Sequence, residues 1–130
     1  MVEETVKQVF AESDLQGKIA AVYLMGSVVT GTLRPDSDID IALMPAKDSC
    51  ISLDERMHLV SALTLLCGRD VDLGIISGTN LVYASEAILK GKRIVTVDTD
   101  CVAMMETRLL GCYLQFREDR RVVEEAYCAA

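Results

Sequence analysis

The sequence predicts an α+β fold, an α/β sandwich in which helices pack on a small mixed sheet, and three observations predict it. Apolar runs of strand length alternate with segments of helical period, glycines and capping residues mark the boundaries, and the chain closes on one long helical stretch. Val2, Val6, Val9 and Phe10 recur at helical spacing behind Glu3 and Glu4, acidic residues that suit a helix N-terminus, so residues 2–13 read as a helix. Past Gly17, Ile19 to Met25 is a short run of strand formers that stops at Gly26-Ser27, where small residues permit a tight turn. The polar stretch Thr32 to Ser37 leads into a second strand, Ile39 to Met44. Ser52 and Glu55 form a capping-box pattern, and their helix runs to Gly68 with Leu53, Met57, Val60, Leu63 and Cys67 as the expected buried stripe. Val71 to Ile76 reads as a third strand, residues 80–90 as a helix closed by Gly91, and Arg93 to Val97 as a fourth strand. From Asp100 the tail reads as one helix, with Val102, Met105, Leu109, Cys112 and Phe116 repeating at three and four residues.

At 130 residues the chain has room for one domain, 1–130, with a real core. Its 51% hydrophobic and 25% charged residues, with only 2 prolines, exclude disorder and fibrous repeats. A formal charge of −7 opposes direct binding of nucleic acid or anionic lipid, although bound metal cations can reverse the sign locally and admit a nucleotide. Five cysteines with no C-x-x-C pair, beside the single His58, leave no zinc quartet, and reduced, mostly buried thiols are expected. The N-terminus lacks a basic-then-apolar leader pattern and no apolar run reaches the roughly 18 residues of a membrane span. The chain therefore reads as cytoplasmic.

The chemistry is concentrated in two short segments. Gly26-Ser27 sits where a strand hands over to a short helix, a place whose free amides favour an anion such as phosphate. Gly26 lets the backbone come close and Ser27 adds a hydroxyl donor. Asp38 and Asp40, two apart on a strand, project from one face and repel each other unless a cation or proton intervenes, which suits Mg²⁺ or Mn²⁺. Their all-oxygen donor set argues against zinc. A third carboxylate from another strand would complete a two-metal site. The candidates are Asp70 and Asp72, and Asp72, flanked by Val71 and Leu73, is the one expected to lie deeper. Each piece alone is common in turns and strand ends, but Gly-Ser-x10-Asp-x-Asp should arise by chance in on the order of one chain per thousand of this size.

The stretch from Gly26 to Asp40, with Asp72 beyond it, resembles the signature of the nucleotidyltransferase superfamily that includes DNA polymerase β, and most of all its minimal nucleotidyltransferases. The resemblance is strongest over 19–44 and 69–76. It implies a polymerase β-like fold and transfer of a nucleotide from ATP·Mg²⁺ to an acceptor hydroxyl. In that scheme Asp38, Asp40 and Asp72 hold metal, with Asp72 also assisting deprotonation of the acceptor. Gly26, Ser27, Arg34 and Ser37 contact the nucleotide. Many minimal members are antitoxins that transfer AMP to a tyrosine of a HEPN-type ribonuclease toxin, so the resemblance also implies such a partner. One departure is visible: Thr30 stands where many relatives carry an arginine. Transfer to a small molecule, or toxin silencing by occlusion without catalysis, are the competing readings.

Other conspicuous residues have plainer explanations. His58 lies between Met57 and Leu59 without a visible catalytic partner and reads as a helix-surface histidine. Tyr23, Tyr83, Tyr113 and Tyr127 are too scattered for a stacking platform. The stripe from Met104-Met105 to Phe116 reads as core packing, although so long a helix on so small a domain can leave apolar surface for a homo- or hetero-oligomer. Arg117, Arg120 and Arg121, interspersed with acids, read as a solvated, salt-bridged face.

Overall fold

The computed structural model describes residues 2–15, 17–31, 34 and 36–128. In chain order the elements are α1 (Val2–Glu12), β1 (Ile19–Met25), α2 (Ser27–Thr30), β2 (Ile39–Pro45), α3 (Leu53–Cys67), β3 (Val71–Ile75), α4 (Leu81–Lys90), β4 (Lys92–Thr96) and α5 (Thr99–Cys128). The strands form one mixed sheet in the order β3-β2-β1-β4, with β1 antiparallel to both neighbours and β2 parallel to β3. Helix α3 makes the crossover that a parallel pair requires.

Alternation along the strands divides the molecule into two cores. Val22 and Leu24 of β1, Ile39, Ile41 and Leu43 of β2 and Leu73 of β3 pack with Val6, Val9 and Phe10 of α1 and Leu59 and Leu63 of α3. Their neighbours Ala21, Tyr23, Ala42 and Met44 pack instead with Ala84 and Ala87 of α4 and Val102 of α5. On this second face the Tyr23 hydroxyl donates to Glu106 Oε1 at 2.9 Å, and Arg93 pairs with the same carboxylate.

The expected boundaries agree with the structure to within two residues. The capping box forms as its letters predict: Ser52 Oγ accepts from the Glu55 amide at 3.1 Å and Glu55 Oε1 from the Ser52 amide at 3.0 Å. Gly68 ends α3 in the left-handed conformation.

Three expectations about burial are corrected. In α3, Leu53 and Met57 are exposed, and the buried line is Leu59 and Leu63, flanked by the half-buried Val60 and Cys67. This helix carries apolar residues on more than one face, so spacing alone fits two stripes and contact with the sheet selects one. In α5 the stripe is core only as far as Leu109: Val102 is buried, Met105 and Leu109 are half-buried, and Cys112 and Phe116 are exposed. A 30-residue helix is about 45 Å long, more than a small sheet can cover. Finally, none of the five free thiols is buried, with Cys67 and Cys101 half-buried and Cys50, Cys112 and Cys128 exposed. They lie on helices and in a loop rather than on the strands.

Candidate active site

Gly26 is glycine for two separate reasons. Its φ is +68°, a region costly for a side chain, and a Cβ there would stand 2.8 Å from Asp40 Oδ2. The Gly26 carbonyl accepts the amides of Val29 at 3.1 Å and Thr30 at 3.2 Å, closing the single turn of α2. The amides of Ser27 and Val28, at the start of that turn, have no intrahelical acceptor. The Thr30 hydroxyl bonds back to the carbonyls of Gly26 and Ser27, both at 3.4 Å.

The register then carries the acidic residues together. Met25 pairs with Asp40 across β1 and β2, and Asp40 pairs with Asp72 across β2 and β3. Across the sheet this sets the Gly26 turn, Asp40 and Asp72 in a row, with Asp38 just ahead of β2. Burial raises the Asp40 pKa above its ordinary value, and the charges of Asp72 and then Asp38 raise it further. Asp40 is therefore within electrostatic reach of both other carboxylates.

Asp72 does not lie deep, as its apolar neighbours suggested: it is exposed, and Asp40 is the half-buried carboxylate. Leu73, the apolar neighbour that suggested depth, points to the opposite face, and β3 is an edge strand with a neighbour on one side only. Asp70 precedes β3 and is exposed.

The loop before β2 is held by its own side chains. The Ser37 amide donates to the Arg34 carbonyl and the Arg34 amide to Ser37 Oγ, both at 3.0 Å. Arg69 Nη1 donates to the Arg34 carbonyl and, at 3.5 Å, to the Ser37 carbonyl. Its guanidinium thus positions the loop, while the Arg34 residue is exposed. Thr32, Leu33 and Pro35 of the signature lie outside the described residues.

Among the described residues no three acidic, thiol or imidazole groups form a ready-made cage for one ion. The donor set nevertheless suits Mg²⁺, which characteristically takes one or two carboxylates and completes its shell with water and substrate phosphate. Asp40, carrying the strain of two neighbouring negative charges, is where a cation gains most.

Sequence reasoning missed Tyr83. Its hydroxyl feels the charges of Asp72 and Asp40, and burial followed by those charges pushes its pKa up to about 12. It lies on α4, eleven residues beyond Asp72, so no short motif contains both. The only hint is Gly74, a glycine inside a strand, which marks a close approach.

The mixed sheet thus lines up strand-borne carboxylates beside a glycine-serine turn. Residues 4–100 match the family model Polymerase beta, Nucleotidyltransferase, and the chain belongs to that family. It is 27% identical over 108 residues to the protein adenylyltransferase MntA of Shewanella oneidensis, covering 82% of this chain and 74% of MntA. It is also 35% identical over 79 residues to a spectinomycin 9-adenylyltransferase of Campylobacter jejuni, where the match covers 55% of this chain but 30% of that enzyme. Among solved structures, the fold matches a chain of an MntA toxin–antitoxin complex with a TM-score of 0.79, at 20% identity over 97% of this chain and 98% of that one. A tri-AMPylated Shewanella oneidensis HEPN toxin in complex with its MNT antitoxin gives a TM-score of 0.73, at 18% identity over 98% of this chain and 99% of that one. These two likenesses establish the polymerase β-like fold. Among the described residues no helix is long and apolar enough to cross a membrane.

Proposed function

We propose that this protein transfers AMP from ATP to a hydroxyl of a partner protein, a tyrosine of a HEPN-type toxin, and so acts as a cytoplasmic antitoxin. The observation that carries the chemistry is the row formed by the Gly26 turn, Asp40 and Asp72, with Asp38 at its edge. Mg²⁺ (or Mn²⁺), held by Asp38, Asp40 and Asp72, would neutralise phosphate charge and lower the barrier to displacement at the α-phosphorus. Gly26 and Ser27 offer backbone amides and a hydroxyl to the triphosphate. Arg34 adds an exposed cation, and Ser37, whose oxygen already accepts from Arg34, retains a hydroxyl proton to donate.

In this reading Asp72, exposed at the sheet edge, takes the acceptor's proton. The attacking oxygen forms its bond to the α-phosphorus as the bond to the β-phosphate oxygen breaks, and pyrophosphate leaves on the side of the Gly26 turn.

A protein acceptor fits the surface better than a small one. Beyond Leu109, helix α5 exposes Leu114, Phe116, Val122, Val123 and Tyr127, apolar surface of the kind a partner covers. The similarity to MntA spans most of both chains, whereas the similarity to the spectinomycin enzyme is confined to a minority of that enzyme.

The test is label transfer from α-labelled ATP with Mg²⁺ to the protein encoded beside this one. An Asp38→Asn/Asp40→Asn double variant should lower transfer about a thousandfold while still folding. Label on a metabolite instead would redirect the proposal to a small-molecule enzyme. Neutralisation of the neighbour by the double variant, without label, would establish occlusion.

A further inference from the structure

Gly74 occupies β3 two residues after Asp72, on the same face of the sheet. Its backbone is not in the left-handed region, so its conformation does not demand glycine. Space does: a Cβ at Gly74 would stand 2.0 Å from the Tyr83 hydroxyl oxygen and 2.4 Å from the ring carbon that bears it. Tyr83 therefore lies across the strand exactly where a side chain is missing.

This arrangement has two costs and no visible return in the fold. Glycine weakens a strand interior, because it has no side chain to pack and more conformational freedom to lose. The hydroxyl is also partly desolvated, yet it hydrogen-bonds to no described residue. The other tyrosine on this face, Tyr23, shows what a structural hydroxyl looks like here, bonded to Glu106 at 2.9 Å. A leucine at position 83 and an alanine at 74 would fill the same space with neither cost.

The position of the hydroxyl says what it serves. The row across the sheet runs from the Gly26 turn through Asp40 to Asp72, and Tyr83 lies over β3, at the Asp72 end. If phosphates occupy the Gly26 end, the group beside Tyr83 is the acceptor. We propose that the Tyr83 hydroxyl, admitted by Gly74, donates a hydrogen bond to the acceptor oxygen that attacks the α-phosphorus, holding it beside Asp72. The inference rests on the adenylyl-transfer reading above. Tyr83 keeps its own proton throughout, and the acceptor's proton goes to Asp72. Because the hydrogen bond strengthens as the acceptor oxygen loses its proton, it also favours the ionised acceptor.

The experiment compares wild type, Tyr83→Phe and the refilled Gly74→Ala/Tyr83→Leu variant in AMP transfer to the partner protein, with thermal unfolding measured on each. Tyr83→Phe should lower kcat/KM for the acceptor at least tenfold, leave KM for ATP within twofold, and move the acidic limb of the pH–rate profile upward. The refilled variant should match wild type in stability and Tyr83→Phe in rate, separating the hydroxyl from the packing. Transfer by Tyr83→Phe within twofold of wild type, with an unmoved pH profile, would overturn the proposal while leaving adenylyl transfer intact. A selective rise in KM for ATP would overturn it too, by placing the hydroxyl on the nucleotide. A silent wild type would refute adenylyl transfer, and the role of Tyr83 would fall with it.

Discussion

The two faces of the sheet are built from the same strands and serve opposite ends. Toward α1 and α3, β2 presents Ile39, Ile41 and Leu43, all fully buried. Toward α4 and α5 the same strand presents Asp40, Ala42 and Met44, and β3 presents Asp72 and Gly74. One face is filled with branched side chains. The other becomes small toward β3, and into that space come the carboxylates and the Tyr83 hydroxyl. The packed core and the carboxylate row are thus separated by one residue of register, because neighbouring strand residues point to opposite sides.

Substitutions on the two faces should therefore separate folding from catalysis. The largest expected effect on stability is on the apolar face: Ile41→Ala should cost about 3 kcal/mol in chemical denaturation. Its kcat per folded molecule, measured well below the unfolding transition, should stay within twofold of wild type. A large fall in kcat would show that the faces are coupled.

Gly26→Ala sharpens the contrast from the other side. The positive φ costs about 1–2 kcal/mol, and the added methyl must displace the Asp40 carboxylate from 2.8 Å. Titration of transfer rate with Mg²⁺ should then show a higher midpoint, about tenfold, a response Ile41→Ala should not give.

The smallest effect concerns Asp40 itself. Its folded pKa is raised above the ordinary 3.8, so the folded state holds a proton that the unfolded chain has released. Without divalent cations, the Asp40 contribution to stability is therefore greatest at low pH and is lost as pH rises from about 4 through the raised value. Asp40→Asn should gain on wild type over that window in metal-free thermal unfolding and hold its lead at neutral pH. Adding Mg²⁺ should narrow the gap. A gap that widened as pH fell would contradict the placement of Asp40 among like charges.

Local chemistry was legible wherever a residue's role is decided by its immediate neighbours. The capping box of Ser52 and Glu55 reads directly because both partners lie within one helical turn. Gly26-Ser27 and Asp38-x-Asp40 read because the turn and the strand that carry them are adjacent in sequence and pair in space, Met25 against Asp40. The spacing points to Asp72 as a candidate but not to its depth, since apolar neighbours on a strand report on the opposite face. The α3 stripe and the outer half of α5 failed for a related reason. A helix announces its periodicity, but not how much of it another element will cover.

The sequence by itself determined the order and type of the elements, the two acidic segments and the glycine-serine turn, all of which depend on spacings shorter than a single element. Only the tertiary structure decided that β3 lies at the edge, that Asp40 rather than Asp72 is the sunken carboxylate, and that Tyr83 reaches across to Gly74. Burial depends on which strand has two neighbours, and a contact between a helix and a strand depends on how they pack. Neither quantity is written in any local run of residues.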